Sequence, residues 1–204
     1  MPRVRADDYD DKKSKILDAA ARLFAEQGYA GSRMDEIAKV CGVSKSMLYH
    51  YFKKKEDVLA DILQEHISQL IESIKGHIEL GSGTDKMEYF RGFTEVYLNP
   101  SAKRRASHVV ALHDMRYLTP QQRKKQVKLE RQLLELVENI LQEMKAGDTR
   151  TDYRVSAFLL IGMLNWVELW YDESGQMSAS KFYEKITRLF LTGFLEKNSG
   201  GAAN

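Results

Sequence analysis

Cysteine is almost absent from this chain: Cys41 is the single thiol in 204 residues. One thiol excludes an internal disulfide framework and fits a reducing cytoplasm, where we expect the protein to work. Long apolar runs are missing too. The longest uncharged, apolar-rich stretch covers 155–167, short of the roughly 20 residues a helix needs to cross a bilayer. The first eleven residues, MPRVRADDYDD, have no apolar core behind their arginines, which excludes a signal peptide. No strand-like alternation and no internal repeat occur. Catalytic constellations are also lacking. There is no HExxH pattern and no cysteine cluster. Of the five histidines, His50, His66, His77, His108 and His113, the last two are five apart and do not share a helix face. The expectation is a soluble protein that is not an enzyme, with no metal, no cofactor and no membrane partner.

The informative stretch is 28–52, GYAGSRMDEIAKVCGVSKSMLYHYF. It carries two short helical patterns joined by Cys41-Gly42-Val43. Ser32, with Asp35 three residues on, has the spacing of a capping box, and Ser44 can cap the second helix. At about 100° per residue the second helix divides in two. Met47, Leu48, Tyr51 and Phe52 fall on an apolar side. Lys45, Ser46, Tyr49, His50 and Lys53 fall on a side of donors and positive charge. A short helix of this kind, held against a preceding helix by a Gly-containing turn, reads as a helix-turn-helix for the DNA major groove.

Charge follows the same segment. Residues 12–55 hold ten Lys or Arg against four Asp or Glu, although the whole chain carries only +2. A local excess of that kind is the electrostatic footprint of phosphate binding. An ordinary solvated lysine face would give the same count, and the amphipathic split of the helix favours DNA.

The string ILDAAARLFAEQGYAGSRMDEIAKVCGVSKSMLYHYFKKKEDVL, residues 16–59, resembles the DNA-binding domain of the tetracycline-repressor (TetR) family of bacterial regulators. The resemblance implies an all-α fold of about nine helices. Three N-terminal helices would bind double-stranded operator DNA. The remaining helices would form a ligand chamber and a homodimer interface. The implied divisions are a flexible tail over 1–11, a helix-turn-helix domain over 12–57, a ligand-binding and dimerisation domain over 58–197, and a disordered tail over 198–204. The DNA contacts it implies are Ser32, Arg33, Ser44, Lys45, Ser46, Tyr49, His50, Lys53 and Lys55. Lys45 and Ser46 sit at the helix end that meets base edges, lysine can donate to guanine O6 and N7, and Lys55 would open the fourth helix beside a phosphate.

Periodicity marks further helices over about 12–27, 54–80, 84–98, 121–145, 152–171 and 180–196, with another after Asn99-Pro100. Thr84, Asn99 and Thr119 are the expected caps. Residues 152–171 are apolar around most of the helix circumference, so more than one side must be covered. Two readings stay open: a four-helix dimer interface with the last helix, with Gly162 and Leu191 on the shared face, or a central helix inside a monomer. Candidate chamber residues are Phe90, Phe93, Tyr97, Leu112, His113, Arg116, Phe158, Asn165, Trp166, Glu168 and Leu169. Asn165 and Glu168 interrupt an apolar helix, and a buried polar group needs a partner. The C-terminal stretch also resembles family members that control lipid, steroid or aromatic catabolism and answer to acyl-CoA thioesters. That implies an apolar effector with an anionic head, met by Arg116, Arg104 or Arg105; a hydrophobic drug-like ligand is the alternative. The expected function is a ligand-responsive transcriptional repressor released from a near-palindromic operator. Its rival is a helical interaction module that has lost DNA binding.

Overall fold

The computed structural model describes residues 3–81, 85–98, 102–145, 149, 151–167, 170–171 and 175–195, with side chains from Tyr9 and from Arg105 onward in the two segments that begin at 3 and 102. Among the described residues there are nine α-helices and no strand. They are α1 (Arg3–Gln27), α2 (Met34–Val40), α3 (Lys45–Tyr51), α4 (Lys55–Glu79), α5 (Lys86–Leu98), α6 (Ala102–Asp114), α7 (Pro120–Met144), α8 (Tyr153–Val167) and α9 (Ala179–Leu195), with a 3-10 turn over Met115–Tyr117. None is long and apolar enough to cross a membrane.

The chain divides into two compact units. One takes residues 1–69 and 100–131, the other 70–99 and 132–204. Helix α6 and the first part of α7 group with the helix-turn-helix helices in the first unit. A long-range hydrophobic partner, not chain proximity, decides this: Ala106, Val110 and Leu118 are buried in the same core as α1 and α4.

In the first unit, Ile16, Ala20, Leu23 and Phe24 of α1 meet Ile37 of α2, Leu48 of α3, and Val58, Leu59 and Leu63 of α4 in one core. Gly28 ends α1 at φ +78°, a left-handed conformation that favours glycine. Gly42 does the same between α2 and α3 at φ +65°. The expected start of α1 near Lys12 is corrected. The helix begins at Arg3, so 3–11 is helical. Its outer turns are anchored by Tyr9, whose ring stacks on Tyr51. The 198–204 tail lies outside the described residues.

In the second unit, Phe90 and Phe93 of α5 are fully buried with Leu160 and Leu164 of α8 and Leu191 of α9. Phe90 stacks on Phe190, 5.6 Å between centroids and 2° between planes. The N-terminal end of α5 is capped by Asp85, whose Oδ1 accepts from Met87 N at 2.9 Å; Thr84 and Asn99 lie outside the described residues. Thr119 does cap α7: its Oγ1 accepts from Gln122 N at 3.3 Å, while Gln122 Oε1 accepts from Thr119 N at 3.0 Å.

One side of α8 buries Ala157, Leu160, Leu164 and Val167. The opposite side presents Val155, Leu159 (66% exposed) and Trp166 (64%), with Phe158 beside them at 57%. Gly162 lies on that outer stripe and has no neighbour that a Cβ would meet. On α9, Leu189 is 69% exposed. Leu191, expected on a shared face, is instead wholly buried, two residues round the helix from Leu189 and so on nearly the opposite side.

Candidate nucleic-acid interface

Two short helices and a tight turn build the first site. The turn closes through Gly42 N to Lys39 O at 3.2 Å and Val43 N to Ala38 O at 3.0 Å, which satisfies the last carbonyls of α2. Ser44 then starts α3: its Oγ accepts from Met47 N at 3.1 Å, as its spacing requires. Leu48 and Phe52 are anchored in the core. Met47, placed on the apolar side by periodicity, is 39% exposed; it lies at the margin of the stripe, where a one-residue phase error moves a side chain to the surface.

The side chains of Lys45, Ser46, Tyr49 and His50 are all exposed, and so is Lys53 beyond them. The structure therefore brings these five together on one surface. Lys45 pairs with Asp35 of α2. Both groups are mostly in solvent, so the pair adds little stability. Lys53 Nζ donates to Tyr49 O at 3.1 Å. Arg33 is exposed at the start of α2, and its backbone N–H donates to Glu36 Oε2 at 2.7 Å.

Two expected DNA contacts have their hydrogen-bond partners within the protein. Ser32 is buried, and its hydroxyl donates back to Gly28 O at 2.9 Å. It neither caps α2 nor reaches the surface, because Arg33 occupies the cap position. Lys55 is taken up inside the unit. Its Nζ donates to Tyr29 O and Ser32 O, both at 2.7 Å, and lies 4.2 Å over the Tyr29 ring. A lysine at a helix start has the place of a phosphate ligand. The two turn carbonyls that hold it have no sequence signature.

Around that latch sits a polar joint. Tyr29 is buried and packs on Tyr117 at 4.8 Å. Asp114, also buried, has its carboxyl pushed up from the usual carboxylate range by burial, against the pull of Arg116, His113, the Tyr29 N–H and Lys55. Cys41 is half-buried, with burial pushing its thiol up to about 11, the behaviour of a packing residue and not of a reactive thiolate. Tyr9 is the residue that sequence reasoning missed. The signal was there: Tyr9, Lys13, Ile16 and Ala20 continue one helical stripe, but the aspartates around Tyr9 read as a solvated tail.

The expected effector chamber is only partly assembled. Phe90, Phe93, Tyr97 and Asn165 come together in the second unit, where the Tyr97 hydroxyl donates to Asn165 Oδ1 at 2.8 Å. Asn165 thus has its partner within the protein, and burial pushes the Tyr97 phenol up. Phe158 and Trp166 face outward and do not line an interior. Leu112, His113 and Arg116 belong to the first unit, and His113 and Arg116 are exposed. Glu168 and Leu169, and the Arg104 side chain, lie outside the described residues. Arg105 is exposed.

Residues 16–62 match the N-terminal domain of bacterial regulatory proteins of the tetR family, and residues 83–194 match the tetracyclin repressor-like C-terminal domain. The chain belongs to the TetR family. A TetR-family transcriptional regulator from Bordetella parapertussis is 34% identical, with 92% of this chain and 98% of that chain covered at a TM-score of 0.77. The transcriptional repressor KstR2 of Rhodococcus jostii is 28% identical over 92% of this chain and 95% of its own length. AibR, solved in complex with isovaleryl coenzyme A and operator DNA, shares the fold at a TM-score of 0.74 and 22% identity, covering 87% of this chain and 97% of that one. Other curated relatives match over 32–44% of this chain, which spans 23–40% of their own length. The relatives are TetR-family transcriptional regulators and not enzymes.

Proposed function

We propose that this TetR-family member is a ligand-responsive transcriptional repressor that binds a near-palindromic operator as a homodimer. The observation that carries the reading is the exposed row Lys45, Ser46, Tyr49 and His50 on a helix whose other side is anchored by Leu48 and Phe52. In this reading Lys45 and Ser46 reach base edges, and Tyr49, His50, Lys53 and Arg33 hold phosphates and set the register. Dimerisation is supported by the uncovered apolar stripe of Val155, Leu159 and Trp166 with Gly162, and by Leu189 of α9. Two-fold symmetry would then present two recognition helices to two half-sites about 34–36 Å apart.

The effector class we propose is a small apolar molecule or acyl-CoA thioester. Support comes from the acyl-CoA ligand of AibR and from the aromatic interior of the second unit, where Tyr97 and Asn165 supply the polar pair. Release requires that the effector prefer the DNA-free form; a hundredfold preference corresponds to roughly 2.7 kcal/mol. The test is selection of bound fragments from a random duplex pool, followed by titration of the selected duplex with acyl-CoA thioesters of increasing chain length. A near-palindromic site released by one chain-length class supports the reading. Enrichment of no sequence sinks the DNA reader, and a complex indifferent to every thioester sinks the effector class alone.

A further inference from the structure

The outer turns of α1 reach the recognition helix through one side chain. The Tyr9 ring stacks on Tyr51 with 4.5 Å between centroids and 29° between planes. It meets the His50 imidazole edge-on at 6.3 Å and 81°, and His50 meets Tyr51 edge-on at 5.6 Å and 85°. These three rings form a closed cluster from two helices that are far apart in sequence. Two of the rings belong to the last turn of α3. The arrangement depends on α1 extending back through Tyr9; a helix starting at Lys12 would not place a third ring beside Tyr51 and His50.

The cluster is unequal in its exposure. Tyr51 is half-buried, Tyr9 is 40% exposed, and His50 is exposed on the donor side of α3. An exposed imidazole on a free helix surface samples several rotamers, each aiming its N–H groups differently. Edge-to-face and stacked ring contacts favour one arrangement, each worth a modest energy beyond area burial. Ordering a side chain before its ligand arrives removes that cost from binding.

We infer that Tyr9 is a positioning residue for DNA reading: its ring, seated on Tyr51, holds the His50 imidazole in the orientation that meets the DNA. This rests on the proposed DNA-binding function. Tyr9 itself need not touch DNA, and its hydroxyl has no part in the device. Phenylalanine therefore does the same work, and alanine does not.

The experiment compares wild type, Tyr9→Ala, Tyr9→Phe, His50→Ala and the Tyr9→Ala/His50→Ala double variant on one duplex selected by the wild type, at one salt concentration, by fluorescence anisotropy. In parallel, the His50 ring-proton shifts are recorded by NMR on DNA-free protein. Tyr9→Ala weakens binding by about five- to tenfold, the scale of coupling between contacting groups. Tyr9→Phe binds like the wild type. In the His50→Ala background, Tyr9→Ala costs nothing more. The His50 shifts move in Tyr9→Ala and stay in Tyr9→Phe. Additive losses, a Phe variant as weak as Ala, or unmoved His50 shifts overturn the inference while leaving the DNA-binding reading intact. A wild-type protein that binds no duplex overturns that reading itself.

Discussion

Lys55 illustrates how a residue's position in sequence can mislead about its work. A cation opening a helix just after a recognition helix has the right address for a phosphate, yet its ammonium is held by the Tyr29 and Ser32 carbonyls beneath the Tyr29 ring. Lys55→Met keeps the aliphatic stem and removes the ammonium from both carbonyls; Tyr29 O keeps the Ser32 N–H at 3.3 Å, and Ser32 O loses this donor. The expected loss is about 1–3 kcal/mol of stability, read in urea unfolding, with the salt dependence of DNA binding unchanged. A flattened salt dependence with normal stability would return Lys55 to the phosphate contacts. Asp114 offers a second test. Burial raises its folded-state pKa, so ionisation opposes folding. That penalty is fully present above the folded-state value and disappears as pH falls below the ordinary carboxylate range near 4. Asp114→Asn should therefore be more stable than wild type near pH 7, with the two urea midpoints converging as pH falls. A gap that widens in acid would reverse the assignment.

Among the elements, those with two independent signals were legible and those with one were not. Helix α3 had a cap at Ser44, an apolar stripe and a preceding glycine turn; the cap, the turn and the buried Leu48 and Phe52 stand in the structure, while Met47 is exposed and Tyr51 half-buried. Helix α7 had Thr119-Pro120 and a long apolar period, and it starts at Pro120. Helix α1 lost its first turns to a local rule: aspartates around Tyr9 suggest solvation, and only a tertiary ring contact with Tyr51 reveals otherwise. The exposed side of α3 was readable because it depends on phase within one helix. The packing of the candidate chamber residues was not, because it depends on which helices meet. Periodicity could not tell that Phe158 and Trp166 face out while Tyr97 and Asn165 pair within. At this scale the cap of α7 is measurable. Thr119→Ala removes the acceptor for Gln122 N and should cost about 1 kcal/mol; thermal unfolding indistinguishable from wild type would mean that Gln122, anchored to Glu56 O and Asp57 Oδ1, holds that end alone.

For the molecule as a whole, an uncovered apolar stripe on α8 argues for a second copy. Exposed aliphatic and aromatic side chains in a contiguous row mark an association surface, and a two-fold partner would cover the same row on both chains. The buried Leu191 is a poor probe, since a charge there would damage the core. Leu159→Glu places the charge on the outer stripe instead. It should sediment as a folded monomer at micromolar concentration with its helix content retained, and it should bind DNA far more weakly, because one recognition helix gives up half the site. Persistence of the dimer would place the interface elsewhere.

In the proposed function Lys45 reads a base. Fluorescence anisotropy of wild type and Lys45→Ala, each titrated against the selected duplex and a scrambled duplex at the same salt concentration, tests it directly. The predicted result is a loss of roughly 1–3 kcal/mol on the selected duplex with a much smaller change on the scrambled one, so that the ratio between them collapses. Equal losses on both duplexes, or none on either, would contradict it.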